Sequence, residues 1–376
     1  MHLTILLAIA LQEPSLDQLV ERLGSDDLDV RTAATAALRK AGAEAIAPLR
    51  KAAGDANRER AARAKELLED VLWRVKGRIA YWAEGTKPHP HPMGTRAIWV
   101  VDPDDPKPVE VMRGIYCGYS EEIRWIPGTR RFLASVDIPR EERFGLGTFP
   151  QLWRGEPGEA PVAVGGGESD FALSPDGKRV ASVGGVNTIC VDGKPITARF
   201  WKVWEPAWSP DGKTIVFRGG RTKDDRVVDG SWGMYRCAPD GTGLEKFCDF
   251  LSHAVFTPDG ASLVAMEYTW PQQPKEIRVV DLATKAARVI GRGADFDDVP
   301  RLSPDGRRVA YARGGRVIVV GVDGKDETDA AAGRQVTWSP DNARLAYARD
   351  GAIHVLDLAT KRETEVAKGR LPSWSR

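Results

Sequence analysis

The stretch that decides the fold is "AWSPDGKTIVF" at residues 207–217, because close copies of it recur along the chain. The same pattern stands at "RLSPDGRRVAY" (301–311) and at "TWSPDNARLAY" (337–347). Proline fixes one backbone dihedral, aspartate bonds back to its own backbone and glycine accepts a positive φ, so Pro-Asp-Gly predicts a tight turn. The alternating apolar residues after the turn predict a strand. Each copy therefore predicts two antiparallel strands joined by a reversal.

The repeat occurs seven times, at a spacing typical of propeller blades. Aligned on the residue before the Ser-Pro or Thr-Pro pair, or its equivalent, the copies fall at Trp125, Leu173, Trp208, Phe256, Leu302, Trp338 and Trp374. Neighbouring copies lie 35 to 48 residues apart, near the period of roughly 40–45 residues of four-stranded blades. A second hairpin with the shared turn "DLATK" follows at 276–290 and 352–366. This completes four strands, A to D from the inside outward.

These features predict a mainly β fold, a seven-bladed β-propeller of four-stranded antiparallel blades over residues 75–376. A closed ring buries each sheet against the next and leaves no long exposed edge. The segment "LPSWSR" (371–376) has the pattern of an A strand without B, C and D strands. The segments at 77–85 and 96–112 supply B, C and D strands without an A strand. We therefore expect strand 371–376 to complete the blade that begins at residue 77.

The repeat units resemble the WD40-like repeats of the TolB-type propeller family. The resemblance rests on units of the form "PxWSPDGxxIxF" followed by a "DL" or "DG" turn, and it covers residues 77 to 376. It implies the propeller fold, while propellers of this kind carry unrelated functions. TolB has a mixed α/β domain ahead of its propeller, and nothing before residue 77 has that pattern. The resemblance therefore does not extend to the envelope partners of TolB.

Residues 13–74 predict a small α-helical domain ahead of the propeller. Ala, Leu, Arg and Glu recur there at helical spacing, and Asp29, Val30 and Arg31 resemble the Asp-Val-Arg signature of HEAT repeats. Only about one and a half HEAT-like units are present, whereas such arrays need three or more stacked units for stability. We therefore expect these helices to pack on the propeller or on a partner.

Residues 1–12, "MHLTILLAIALQ", have the apolar run and small residues of a secretory signal peptide, and a buried first helix is the alternative. Export would make the protein periplasmic or secreted. The 54 Lys and Arg residues against 53 Asp and Glu residues leave a net charge of +1, so no basic face for nucleic acid is expected. No later apolar run is long enough to span a membrane, so no transmembrane span is expected in the mature chain.

Acidic residues precede the A strands, where the mouth of a central channel would lie. The aligned candidates for ligand binding are Glu121, Glu122, Asp170, Glu205, His253, Asp297 and Asp298. One interpretation is a funnel for a cation or a basic ligand. The other is that the carboxylates accept hydrogen bonds from loop amides. No spacing matches a known metal motif, so neither a metal nor a cofactor is expected.

The connections between the B and C strands are long in four blades, at 83–96, 137–150, 218–233 and 267–276. Long loops on a rigid scaffold often carry binding residues, and variation at a solvated rim is the alternative. The candidate partner contacts on these loops are His89, His91, Arg140, Trp232 and Trp270.

Two cysteines, Cys237 and Cys248, flank "APDGTGLEKF" on the arms of a predicted C–D hairpin. Equal pairing about Thr242–Gly243 would set them opposite each other. A disulfide is one alternative for an exported chain, and two buried thiols are the other.

The function we expect from these patterns is that of an exported, non-enzymatic scaffold. It would bind a protein or a cell-envelope component through the long-loop face. The chain has neither a Gly-x-Ser-x-Gly elbow nor a phosphate-cradling glycine loop. The alternative is a hydrolase or lyase that acts on a polysaccharide or a peptide with the acids of the channel mouth.

Overall fold

The computed structural model contains two compact units, Met1–Gly77 and Arg78–Arg376. The residues that it describes are 14–84, 96–114, 122–142, 145–166, 170–184, 187–223, 226–249, 251–267, 275–295 and 298–375. Among them, no helix has both the length and the apolar character needed to cross a bilayer.

The first unit is helical. Its helices are α1 (Leu16–Arg22), α2 (Leu28–Ala41), α3 (Ile46–Ala52) and α4 (Arg58–Lys76), with a 3-10 turn at Gly42–Ala45. The Asp27 carboxylate caps α2 by accepting the N–H groups of its first turn, and Arg31 closes the same end by donating to the carbonyl of Ser25 at 2.7 Å. Leu38, Leu49 and Val71 are fully buried between the helices.

The second unit is a seven-bladed β-propeller of antiparallel blades, as the sequence predicted. From the inside outward, blade 1 contains β29 (Arg370–Trp374), β1 (Ile79–Glu84), β2 (Arg96–Val101) and β3 (Val109–Gly114). Blade 2 contains β4 (Ile123–Trp125), β5 (Phe132–Glu142), β6 (Gly145–Gly155) and β7 (Val162–Gly166). Blade 3 contains β8 (Phe171–Leu173), β9 (Val180–Gly184), β10 (Thr188–Val191) and β11 (Lys194–Pro195).

The remaining four blades follow the same order. Blade 4 contains β12 (Phe200–Trp208), β13 (Ile215–Lys223), β15 (Gly233–Cys237) and β16 (Glu245–Cys248), and the short β14 (Arg226–Val227) pairs with β13. Blade 5 contains β17 (Leu251–Phe256), β18 (Ser262–Glu267), β19 (Lys275–Asp281) and β20 (Ala287–Ala294). Blade 6 contains β21 (Arg301–Leu302), β22 (Arg308–Arg313), β23 (Arg316–Gly321) and β24 (Thr328–Ala332). Blade 7 contains β25 (Arg334–Trp338), β26 (Arg344–Arg349), β27 (Ala352–Asp357) and β28 (Glu363–Lys368).

The ring is closed by the pairing of β29 with β1. Trp374 lies opposite Ile79 and Ser373 lies opposite Ala80 in antiparallel register. Just beyond the strands, the backbone N–H of Arg78 donates to the Ser375 hydroxyl at 2.7 Å. This is the closure that the sequence predicted.

The Ser-Pro-Asp-Gly turns are stabilised by a local hydrogen-bond set. In blade 4, the Ser209 hydroxyl donates to the Asp211 carboxylate at 2.6 Å, and the same carboxylate accepts the N–H of Lys213 at 3.0 Å. These bonds, the hydroxyl bond first, lower the pKa of Asp211. The equivalent hydroxyl–carboxylate pairs are Ser174–Asp176, Thr257–Asp259, Ser303–Asp305 and Ser339–Asp341.

The tryptophan of the repeat joins neighbouring blades. The Trp338 indole N–H donates to the carbonyl of Arg301 in blade 6 at 2.9 Å, and the Arg308 guanidinium lies 4.7 Å from the same ring. Trp208 and Trp125 donate in the same way to the A strands of the preceding blades. The tryptophan therefore links neighbouring blades in addition to ending its own strand.

The blade 2 hairpin differs from the prediction. Residues 137–150, expected to be a loop, form the distal half of β5 and β6, which pair without interruption from Phe132 opposite Gly155 to Glu142 opposite Gly145. We call residues 137–142 and 145–150 the blade 2 arm. In the described strands, β4 pairs with β5 only up to Ala134, so the arm extends beyond the rest of its sheet.

The two cysteines of the blade 4 outer hairpin also differ from one predicted arrangement. The register places Met234, and not Cys237, opposite Cys248. The reversal is centred on Asp240–Gly241, where Asp240 Oδ1 accepts the next-but-one backbone N–H at 2.9 Å. Equal pairing about Thr242–Gly243 is therefore wrong, and both cysteines are free thiols, Cys237 buried and Cys248 half-buried.

Candidate functional site

The candidate site surrounds the start of the A strands, which are the innermost strands of the ring. Equivalent residues of four blades there adopt a left-handed backbone: Glu205 (φ 56), His253 (φ 53), Gln335 (φ 57) and Leu371 (φ 52). Each lies where the pairing register of its A strand with the B strand shifts. A bulge of this kind re-aims the backbone N–H away from its own sheet.

The re-aimed N–H groups bind side chains of the preceding blade. The N–H of Glu205 donates to Asp170 Oδ2 at 3.1 Å, and the N–H of His253 donates to Glu205 Oε2 at 2.6 Å. On the other side of the ring, the N–H of Gln335 donates to Asp298 Oδ1 at 2.6 Å, and the N–H of Leu371 donates to Gln335 Oε1 at 3.0 Å. We call these four bonds the inter-blade ties. The three ties to Asp170, Glu205 and Asp298 are of the kind that the second interpretation of the acidic residues describes, and the fourth has an amide acceptor.

Glu205 is also the centre of a charged cluster. Its Oε1 lies 3.2 Å from His253 Nδ1 and 3.7 Å from a terminal nitrogen of Arg218. The Arg218 guanidinium stacks over Trp204 at 4.4 Å, and Trp204 stacks on Trp232 with ring centroids 5.8 Å apart. Trp232, a predicted partner contact, is therefore half-buried against this cluster. The described part of the mouth carries arginine as well as carboxylates, so its charge is mixed.

Burial shifts the protonation of three groups in the site. It raises the pKa of Asp170 to about 7, and the charge of nearby Glu122 acts in the same direction. Burial also raises the pKa of Asp298 and lowers the pKa of His253, although the charge of Glu205 opposes the shift of His253. Asp170 is therefore a carboxyl group that can gain or lose a proton near neutral pH.

The other predicted residues are not gathered into the same cluster. Glu122 Oε1 pairs with Arg124 at 2.6 Å, and Arg140 lies in the blade 2 arm. Glu121, Asp297, His89, His91 and Trp270 lie outside the described residues. Within the described ranges, no three His, Cys, Asp or Glu side chains are grouped closely enough to hold a metal ion.

The sequence reasoning missed Gln335 and Leu371, which occupy the same repeat position as Glu205 and His253. Counting from the tryptophan of each copy would have found Gln335 three residues ahead of Trp338, as Glu205 is three ahead of Trp208. Gln335 carries no charge, yet its amide oxygen accepts a backbone N–H as a carboxylate does. Leu371 acts through its backbone alone, so its side chain carries no signal.

Comparison with known proteins shows the fold and not a family. No family model matches the chain, and no curated protein matches it. Among solved structures, TolB from Acinetobacter baumannii is 17% identical with a TM-score of 0.48, over 85% of this chain and 73% of that one. A proposed 6-phosphogluconolactonase from Bacteroides fragilis is 14% identical with a TM-score of 0.51, over 81% and 99%. An oligogalacturonate lyase in complex with manganese is 13% identical with a TM-score of 0.39, over 76% and 98%.

Proposed function

We propose that the protein is a non-enzymatic binding scaffold, periplasmic or secreted, that holds a protein or a cell-envelope component on the B–C face of its propeller. Residues 1–12 would be its signal peptide. The single observation that carries the proposal is the blade 2 arm. A two-stranded ribbon without a third strand is marginally stable in water, so an arm of this length is suited to being covered by a partner.

The inter-blade ties support the same proposal. Asp170, Glu205 and Asp298 each accept a hydrogen bond from a backbone N–H of the next blade. One acceptor site of each carboxylate is therefore used to hold neighbouring blades together. Catalytic acids need freedom to exchange protons with a substrate. A role in holding the blades together uses these acids without any substrate.

A second candidate function is favoured by one observation, the near-neutral pKa of Asp170 beside the Glu205–His253 pair. A carboxyl group that titrates near the working pH is suited to general acid–base catalysis. The reaction would be hydrolysis or elimination on a polysaccharide or a peptide at the channel mouth.

Shortening the arm tests the scaffold. Asp137 and Pro150 are opposite each other, so replacing 138–149 with Asn-Gly leaves a two-residue hairpin turn. The matched control is Asp170→Ala with the arm intact. Cross-linking in envelope extracts should give a reproducible partner with the parent protein and the control, and not with the shortened arm. Thermal melting must show that both variants are folded.

The opposite pattern would support the enzyme. If the variant with the shortened arm still binds the partner, the scaffold hypothesis is wrong. If the parent protein cleaves polysaccharides or peptides and Asp170→Ala abolishes the cleavage, the second function holds.

A further inference from the structure

Blades 6 and 7 contain the same three-residue contact between their B and D strands. In blade 6, the Tyr311 hydroxyl lies 3.3 Å from Glu327 Oε2, and Arg313 donates to Glu327 Oε1 at 2.8 Å. In blade 7, the Tyr347 hydroxyl donates to Glu363 Oε2 at 2.5 Å, and Arg349 pairs with the same carboxylate. In both blades a buried tyrosine hydroxyl is thus satisfied by a glutamate, which an arginine neutralises.

Blade 1 keeps the tyrosine and lacks the other two residues. Tyr81 lies opposite Trp99 as Tyr347 lies opposite His354, so the two tyrosines are equivalent. The segments "AYAR" and "RETEV" of blade 7 correspond to "AYWA" and "KPVEV" in blade 1. Ala83 therefore stands in place of the arginine, and Pro108 stands in place of the glutamate.

A cleft opens at this position. Its volume is about 700 Å³, and its walls include Tyr81, Ala83, Trp99 and Pro108. Only 2% of Tyr81 is exposed, and within the described ranges its hydroxyl has no hydrogen-bond partner. Burial raises the pKa of Tyr81, so the hydroxyl stays a donor at physiological pH. Because Tyr81 lines the cleft, a ligand there that supplies an acceptor can take the hydrogen bond of its hydroxyl.

The walls of the cleft indicate what the ligand would be. The half-buried Trp99 offers flat apolar surface to the cleft, which suits a ring. Arg96, Lys368 and Arg370 also line the cleft, and Lys368 pairs with Glu365 at 2.6 Å. A carboxylate is indicated by the equivalent position in blades 6 and 7, where Glu327 and Glu363 contact the tyrosine hydroxyl.

We propose that this cleft binds an organic carboxylate that carries a ring. Its carboxylate would lie where blades 6 and 7 have Glu327 and Glu363, and it would accept a hydrogen bond from the Tyr81 hydroxyl. The ring lies between Trp99 and Pro108. The site is at the junction of blades 7 and 1, apart from the inter-blade ties, and it does not depend on the scaffold proposal. Two sources share this chemistry, aromatic acids and acidic sugars.

Binding is tested on the full chain with benzoate and glucuronate, each compared with its neutral counterpart, benzamide or glucose. Saturation-transfer NMR and tryptophan fluorescence report the binding. At least one carboxylate should bind saturably, and its neutral counterpart should bind at least about 10-fold more weakly, because a hydrogen bond to a charged group is stronger than one to a neutral group. Binding of benzoate alone would assign the site to aromatic acids, and binding of glucuronate alone would assign it to acidic sugars.

Two variants locate the binding. Tyr81→Phe removes the donor and should weaken the binding roughly 10- to 100-fold. Ala83→Arg combined with Pro108→Glu rebuilds the contact of blades 6 and 7 inside the cleft, so it should abolish binding while the melting temperature stays equal or rises. Tyr347→Phe, the same change in blade 7, is the matched control and should leave binding unchanged.

The proposal is overturned if neither carboxylate binds saturably up to roughly 10 mM, a range that includes weak millimolar affinities. It is also overturned if binding survives the Ala83→Arg/Pro108→Glu double change. Should Tyr81→Phe fail to fold, the double change decides alone.

Discussion

At the scale of single residues, carboxylates of this protein have opposite environments according to their repeat position. Asp176 and Asp211 lie in exposed turns, where hydroxyl and backbone hydrogen bonds lower the pKa of each. Asp170 lies at the channel mouth, where burial raises its pKa to about 7. The first group is held as an anion, whereas the second favours the protonated form near neutrality.

Asp170→Asn should therefore change stability with a definite dependence on pH. The carboxyl group of Asp170 has a pKa of about 7 in the folded protein and about 4 in an unfolded chain. Between these values the folded state binds the extra proton, so the contribution of Asp170 is fully present below about pH 4 and is lost as the pH rises through about 7. The amide keeps an acceptor for Glu205 and cannot ionise. We expect the variant to be more stable than the parent at pH 8, by at most about 4 kcal/mol, and to lose most of this advantage by pH 5 and the rest below about pH 4.

Thermal or urea unfolding across this pH range measures the change in stability. Asp176→Asn is the control, and its effect on stability at pH 8 should have the opposite sign. The lowered pKa of Asp176 stabilises the fold above the unfolded pKa and ceases to do so as the pH falls. Asp176→Asn should thus be less stable than the parent at pH 8. A pH-independent effect of Asp170→Asn would contradict the buried, proton-binding environment.

The positions of these residues were predictable from the sequence, and their partners were not. Alignment of the copies placed Asp170, Glu205 and His253 ahead of the A strands; in the structure Asp170 directly precedes β8, whereas Glu205 and His253 lie inside β12 and β17. The ties form because a bulge turns a backbone N–H towards the preceding blade. A bulge shifts one residue and leaves no mark in the pattern of side-chain types.

At the scale of elements, the Pro-Asp-Gly turn of one blade packs against the turn of the blade before it. A Cβ atom built on Gly306 would lie 2.4 Å from Pro258 of blade 5, whereas one on Gly212 would lie 3.9 Å from Pro175 of blade 3. Both glycines have a positive φ, 72° and 69°. The two turns therefore differ in packing while they share the same backbone conformation.

Gly306→Ala should cost more stability than Gly212→Ala. Both changes place a Cβ on a left-handed residue, at about 1 kcal/mol. Only the change at Gly306 adds a clash with a rigid proline ring, which raises its total to about 2–4 kcal/mol. Equilibrium unfolding in urea compares the two variants. Equal losses would mean that the turns do not form a tight inter-blade contact.

Two elements show where the sequence pattern stops being informative. The Pro and Gly residues of 137–150 are typical of a loop, yet the segment is paired as strand over its whole length. The turn of the blade 4 outer hairpin lies two residues before the predicted position. Both Thr242–Gly243 and Asp240–Gly241 have residues that suit a reversal. Local turn chemistry cannot choose between them, and the choice sets which residues lie opposite Cys248.

At the scale of the whole molecule, the ring depends on one pairing between residues far apart in the chain. Arg78 and Ser375 are hydrogen bonded across 297 positions of sequence. The blade count and this closure could be predicted from the sequence because the hairpin repeat is nearly regular. The last copy has an A strand without its B, C and D strands, and the first blade has B, C and D strands without an A strand. The arm and the blade 1 cleft are departures from the repeat, so the repeat could not predict them.

A disulfide across this pairing should stabilise the ring. Ala80 and Ser373 are directly opposite in the register, and opposed residues of antiparallel strands have Cα separations of about 4.5–5.5 Å, which suit a disulfide. Ala80→Cys with Ser373→Cys should raise the free energy of unfolding by about 3–5 kcal/mol in the oxidised form, because the bond closes a loop of nearly the whole propeller.

The same double variant under reducing conditions is the control, since it contains the two substitutions without the bond. Melting in both redox states, with thiol counting to confirm that the native cysteines stay reduced, gives the comparison. A melting temperature that is the same in both states would mean that separation of the two strands does not limit unfolding.

The closure of the ring also implies a delay during synthesis, because β1 is made long before the strand that pairs with it. The edge of β1 that receives β29 is made early, and its partner is made 297 positions later by the separation of Arg78 and Ser375. At about 5–20 residues per second, that edge waits for roughly 15–60 s on the ribosome. Until then it is an open template for strands of other chains, so a nascent chain that stalls inside blades 5 to 7 should recruit chaperones or aggregate.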